Sequence, residues 1–232
     1  YKSRFEYDNK DNAYIGYMYG TAGSSDFTST HANTNKSDIL TNLETWYKNN
    51  LTEYESKLAD TIWCNDKNVV TDLTFDPWDI NSWGKGNLNG LGYSTNKTYY
   101  ASTQRLIGAE DNNDGTGPIL KCNGDLSKIT AKTGLLSIDE IALAGSVYKK
   151  NNTNTYLNEN ASSDCWWTMS PFSFSGVSIV DRTGDGAHVW EVNGMLYGND
   201  VFNECGVRPS ISLVSSVEIT GTGTSEDPYF IN

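Results

Sequence analysis

The sequence predicts an α+β domain, with helices early and a twisted antiparallel sheet with long loops late. Three observations carry this. Ile39, Leu40, Leu43, Trp46 and Tyr47 fall on one face at helical spacing behind Ser37. Leu136 and Ile141 flank a Ser137/Glu140 capping box and can staple it. After Gly145 the helical period gives way to short alternating runs separated by Gly, Asn and Ser turns.

Taken in order, Tyr14 to Tyr19 alternate as a short strand, and the Ser/Thr-rich run from Ser24 to Asn35 reads as loop. Ser37 caps the first helix, with Asp38 in its first turn and Asn49-Asn50 at its end. Thr52 to Glu55 forms a capping box for a second helix carrying Tyr54, Leu58 and Ile62. From Asn65 to Gly117 neither period is sustained, which predicts a long irregular excursion with a few short strands. Strand Gly134 to Leu136 leads into the Ser137-capped helix, which Gly145 ends. Trp167 to Met169, Val177 to Val180, His188 to Val192, Met195 to Val201, Val207 to Leu213 and Val217 to Ile219 then read as strands, with Asn193-Gly194 as a hairpin turn.

The chain has 232 residues and no Pro-rich or low-complexity linker, so 1–232 is read as one domain. Hydrophobic content of 37% is low, but 7 Trp, 14 Tyr and 7 Phe supply large buried areas for a core. A net charge of -12 without a Lys/Arg cluster argues against nucleic acid and against an anionic membrane surface. No apolar run approaches the roughly 18 residues that span a bilayer. The chain starts at Tyr1, and the expectation is an export or anchoring segment before it.

Catalytic signals are sparse. Only His31 and His188 are present, and neither sits in a nucleophile or metal motif. Paired carboxylates for glycoside hydrolysis stay open as a third reading, because their separation is a property of the fold and the chain offers many Asp and Glu. Glu110 to Gly115 has the oxygen density of a calcium loop, but Lys121 stands where an EF-hand places its distal Glu, so a plain Asn/Asp turn is expected, with no metal or cofactor. Cys64, Cys122, Cys165 and Cys205 contain no Cys-x-x-Cys and allow three pairings.

Leu135-Leu136-Ser137-Ile138-Asp139-Glu140-Ile141, the run Trp166-Trp167-Thr168-Met169-Ser170-Pro171 and Gly206-Val207-Arg208-Pro209 together resemble a bacterial domain family related to the formylglycine-generating-enzyme and C-type-lectin-like folds. His31 to Asn35, Trp46 to Leu51, Asp60 to Asp66 and Gly223 to Tyr229 resemble ectodomains of prepilin-like surface proteins of Gram-positive gut bacteria. The similarity runs from about Tyr14 to the last residue and is weakest at Asp76 to Asn96. It implies a C-type-lectin-like fold, an extracellular cell-surface address, and disulfides pairing Cys64 with Cys122 and Cys165 with Cys205. It also implies structural roles for Trp167, Ser170, Pro171, Arg208 and Pro209, with Trp167 in the core and Arg208 holding loop carbonyls or a carboxylate. The catalytic enzymes of that superfamily need a reactive cysteine pair just before their Gly-x-Arg segment. Here only Cys205 adjoins Gly206, so the chain falls on the non-catalytic side.

The segment from Ser162 to Cys205 is rich in Tyr, Trp, Ser, Gly and Asn, the residues that binding loops favour. Alternation along the strands puts Val189 and Val192 in the core and makes His188, Trp190 and Glu191 outward candidates. With them, Trp166, Phe172, Phe174, Tyr197, Asn199, Phe202, Asn203 and Glu204 form the predicted ligand surface. The sequence therefore predicts an adhesin-like recognition domain, not an enzyme, whose partner is a glycan or a host or bacterial surface protein. A filament subunit that packs against other pilin-like subunits is the alternative.

Overall fold

Capping chemistry decides where the early helices start. The computed structural model describes residues 1–8, 11–24, 26–72, 74–75, 77, 97–108, 114–122, 128–152, 154–159, 165–175, 186–224 and 226–231. After β1 (Lys2–Ser3), the stretch expected as one strand divides. Asp11 Oδ1 accepts from Ala13 N at 2.8 Å and winds Asn12–Tyr14 into a 3-10 turn, which leaves only β2 (Met18–Tyr19) extended. The Ser/Thr run read as loop contains α1 (Phe27–His31), because Asp26 Oδ2 accepts from Ser29 N at 2.8 Å. β3 (Asn35–Lys36) pairs with β2. Helix α2 (Asp38–Asn50) begins where Ser37 Oγ accepts from Leu40 N, and it buries Ile39, Leu40 and Leu43.

The second early helix is corrected. Thr52–Lys57 makes a 3-10 turn with no side-chain cap, and Ile62 lies in β4 (Thr61–Cys64). β4 pairs with β6 (Lys128–Ala131), far along the chain, so tertiary pairing overrides the local capping signal. Between them come β5 (Lys97–Tyr99) and α3 (Ala101–Ile107). β7 (Thr133–Gly134) leads to α4 (Ile138–Leu143), whose Ser137/Glu140 capping box is complete, and α5 (Tyr156–Glu159) follows.

The late strands are β8 (Trp166–Ser175), β9 (Ala187–Val192), β10 (Leu196–Asp200), β11 (Cys205–Gly206), β12 (Ser210–Ile211), β13 (Ile219–Thr220) and β14 (Phe230–Ile231). β8 runs on through Pro171, which its register shifts against β9 accommodate. Of the single strand expected over Val207 to Leu213 only β12 forms; β11 ends before it at Gly206, and Pro209 between them has no N–H to give a ladder. Gly194 at φ +68 makes the β9–β10 hairpin turn. The expected strand Val177 to Val180 lies outside the described residues.

The main sheet has six strands in the order β1-β11-β8-β9-β10, with β5 pairing β8. It is covered on both faces. One core gathers Phe5, Tyr17, Leu43, Trp167 and Val189, with Trp167 edge-on to Phe5 at 5.1 Å. The other gathers Ile107, Ile141, Tyr148, Phe172, Trp190 and Leu196, with Phe172 edge-on to Trp190 at 4.5 Å. Gly198 is required here, since a Cβ would collide with the Phe172 ring. The result is a mixed α+β architecture with few helices and several sheets.

Disulfides join Cys64 to Cys122 and Cys165 to Cys205, with Cα separations of 5.5 and 5.0 Å, the pairs that the resemblance implies. Loops of this length are worth about 4 kcal/mol each in the chain-entropy picture. Among the described residues no helix is long and apolar enough to cross a membrane, and the disulfides are compatible with an extracellular protein. Trp190→Ala removes the ring that Phe172, Tyr148 and the Ser102 hydroxyl surround, and should lower unfolding free energy in urea by roughly 3–5 kcal/mol.

Candidate functional site

The predicted C-terminal surface is only partly a surface. Trp166, Phe172, Phe174 and Trp190 are buried core residues, and the outward assignment of Trp190 is corrected. Its premise was a sheet with one solvated face, whereas β9 is covered on both. Trp190 Nε1 donates to Ser102 Oγ at 3.1 Å, a core hydrogen bond. Glu191 is also buried, beside Asn199 and Cys205, and His188 is half-buried with its Nδ1 3.1 Å from the Gly186 carbonyl. Tyr197, Phe202, Asn203 and Glu204 are exposed, and Asn199 is half-buried. Arg4 stands between the Tyr7 and Phe202 rings, 5.1 and 5.2 Å from their centroids, and reaches Glu204 at 3.7 Å. Tyr197 stacks on Tyr148, apart from that group.

The frame residues are placed as the resemblance implies. Trp167 is fully buried, with Nε1 donating to Ser3 O at 2.8 Å. Arg208 donates to Leu157 O at 2.6 Å and lies over the Trp166 ring at 4.7 Å. Ser170 Oγ accepts from Ile138 N, which joins β8 to the start of α4.

Among the described residues a cleft of about 340 Å³ lies elsewhere, between β4, the segment 119–122, the first turn of α4 and the stretch from Ser210 to Ser212. One buried cation is among its lining residues. Arg105, on α3, donates through Nε and Nη2 to the two oxygens of Asp139 at 3.0 and 2.6 Å, and its Nη1 lies 3.5 Å from Asp66. All three side chains are about one-tenth exposed or less. Asp139 Oδ1 also accepts from Ile119 N at 3.0 Å, so the same carboxylate anchors the strip that forms one wall. Ser137, Ser170, Ser210 and Ser212 are among the residues that line it. On the rim Ile62, Leu120 and Ile211 present aliphatic surface, Leu120 with 73% of its area exposed.

Such a cleft suits binding: aliphatic walls exclude water from a guest while hydroxyls and charged groups fix its polar atoms. Arg105, Asp66 and Asp139 were missed as site residues by the sequence reading. A lone Arg beside Leu106 and Ile107 signals buried carboxylate partners, but Asp139 is 34 positions away and nothing local names it. Comparison of this chain with protein-family models, with curated proteins and with solved structures finds no match.

His31 is buried, stacked on Phe27 at 4.1 Å, with Nε2 2.9 Å from the Tyr100 hydroxyl. Burial, helped by the charge of Lys67, holds its pKa down to about 4. Cys165, Cys205 and Glu191 bring potential metal-ligand atoms within 4.8 Å of one another, but both sulfurs are tied in the disulfide. Of the acidic run from Glu110 to Gly115, only Asp114 and Gly115 are among the described residues.

Two predictions follow from these buried charges. Asp139→Asn leaves Arg105 short of its bidentate partner and should cost about 3 kcal/mol in chemical denaturation. Lys67 is buried, with its ammonium nitrogen on Met18 O, and burial lowers its pKa to about 7. The unfolded chain binds this proton up to about pH 10.4. Stability should thus rise from pH 7 towards 10 by on the order of 1 kcal/mol per pH unit, relative to a Lys67→Met variant in which this contribution is flat, as read from paired denaturation curves.

Proposed function

We propose that this chain is an extracellular recognition domain of a bacterial surface protein, C-type-lectin-like in fold, that binds without turnover. The observation that carries the reading is the cleft: aliphatic side chains on its rim, serines in its lining, and Arg105 locked between Asp139 and Asp66. The motif resemblance supplies the fold name and the cell-surface address, and the two disulfides accord with that address.

The lining favours a polypeptide over a glycan among the two partner classes. Sugars stack on exposed aromatic rings, whereas the one aromatic among the described lining residues, Trp63, is only 7% exposed, and Ile62, Leu120 and Ile211 are the exposed apolar ones. A net charge of -12 complements a segment carrying Lys or Arg among its apolar residues. The exposed Tyr7, Arg4 and Phe202 group has hot-spot composition and offers a second contact to a larger partner.

A packing role in a filament is favoured by one feature. The ribbon β13–β14 exposes Ile219, Tyr229, Phe230 and Ile231, and a two-stranded ribbon is marginal without a surface to cover it.

The test is an array of basic and neutral peptides beside glycans, probed with the native domain and with Ile62→Asp/Leu120→Asp. Both positions are exposed, so thermal stability should be unchanged while saturable peptide binding falls at least about tenfold. Binding retained by that variant but lost in Tyr197→Asp/Phe202→Asp would move the ligand to the C-terminal strands. Failure on every probe, together with concentration-dependent assembly in light scattering, would favour the filament role.

A further inference from the structure

The Cys165–Cys205 bond is asymmetric. Cys205 is fully buried, whereas Cys165 is half-buried, with its Sγ 3.6 Å from the Glu204 carbonyl oxygen. Polar groups converge on the buried sulfur in a defined order. Asn203 Nδ2 and Asp200 N both donate to Asn199 Oδ1, at 2.7 and 2.9 Å, which fixes the orientation of that amide. Asn199 Nδ2 therefore faces inward, 2.8 Å from Glu191 Oε2 and 3.4 Å from Cys205 Sγ. Glu191 Oε2 itself lies 3.1 Å from the same sulfur.

A disulfide that only braces the fold needs neither a carboxyl nor an amide against one of its sulfurs. A buried carboxyl with no cation among the described residues beside it costs stability. Both groups acquire a use when the bond opens. The sulfur that leaves carries an electron pair, which a proton neutralises and an N–H donor stabilises.

We infer that Cys165–Cys205 is an exchangeable disulfide that takes up a low-molecular-weight thiol on Cys165, with Glu191 protonating and Asn199 holding the departing Cys205 sulfur. The incoming thiolate attacks Cys165 Sγ, the sulfur that solvent reaches, and forms a mixed disulfide there. The bond between Cys165 and Cys205 breaks with its electron pair on Cys205 Sγ. The carboxyl proton of Glu191 passes to that sulfur, leaving a thiol and a carboxylate. The reverse step, attack by Cys205 on the mixed disulfide, expels the small thiol and restores the starting state. Burial raises the Glu191 carboxyl above the usual carboxylate range, against the lowering effect of Asn199, which favours the protonated form that the step consumes.

The test is incubation of the intact protein with reduced glutathione, acid quenching, alkylation and peptide mapping by mass spectrometry, with Cys64–Cys122 as the reference in the same molecule. The expected product carries glutathione on Cys165 and a free thiol on Cys205. Glu191→Gln, which keeps the shape of the side chain, should slow its formation by about tenfold or more and leave the opening of Cys64–Cys122 unchanged. An adduct on Cys205, or an unchanged rate in Glu191→Gln, overturns the proposal.

If that variant does not fold, the pH dependence of the native protein decides. Among the described residues, the groups facing Glu191 are Asn199 from β10, Tyr197 in register with Glu191 on the same strand, Trp167 opposite it on β8, and the disulfide; Arg4 and Glu204, at the adjoining loop, pair with each other. The rate per glutathione thiolate should fall as pH rises through the Glu191 titration. A rate per thiolate that stays flat between about pH 5 and 9 overturns the assignment of Glu191 as the acid.

Discussion

The structure depends on the pairing of β8 with β9, because that ladder carries a tryptophan core on each side. Trp167 faces Phe5 and the α2 side, and Trp190 faces Phe172, Tyr148 and the α3–α4 side. With both faces dry, the Trp167 and Trp190 N–H groups find partners indoors, whereas Trp166 Nε1 has none among the described residues. Trp167 uses the Ser3 carbonyl and Trp190 the Ser102 hydroxyl, which itself donates to Pro171 O at 2.8 Å. These bonds tie the N-terminal strand and α3 to the sheet, so one ladder organises the start and the middle of the chain.

The cleft is a by-product of the same arrangement. α3 and α4 lean on the Trp190 side of the sheet, which brings Arg105 on one helix to Asp139 on the other. Burying that pair is worthwhile only because the geometry is bidentate and because Asp139 also takes the Ile119 N–H. The segment leading to Cys122 is held at both ends, by the Asp139 bond and by the disulfide to Cys64, and so becomes a fixed wall. A cleft braced in this way pays little ordering entropy on binding, which suits recognition.

Burial also determines which polar groups acquire unusual chemistry. Lys67, His31 and Glu191 all sit where their charged forms are disfavoured, and in each the leading cause is desolvation. Lys67 and His31 are spent on structure, through Met18 O and the Tyr100 hydroxyl. Glu191 differs in having a disulfide sulfur, not a backbone carbonyl or a hydroxyl, beside it.

Local signals in the sequence determined what local physics controls. Ser37, Ser137 with Glu140, and Gly194 specified two helix starts and a hairpin, since each acts on backbone groups within a few residues. Alternation after Gly145 marked the strands β8, β9 and β10, and the motif frame placed Trp167 and Arg208. The Ser/Thr run read as loop holds α1, because composition does not register the single cap that Asp26 supplies. What only the tertiary structure decided is everything that depends on a second layer. A period of two cannot say whether the outward face of β9 meets water or another core, so Trp166, Phe172, Phe174 and Trp190 read as a surface and are interior. Thr52 to Ile62 read as helix because its true partner, β6, lies about 70 residues away. The cleft was invisible for the same reason: Arg105, Asp66 and Asp139 are separated along the chain and meet only once the helices have docked.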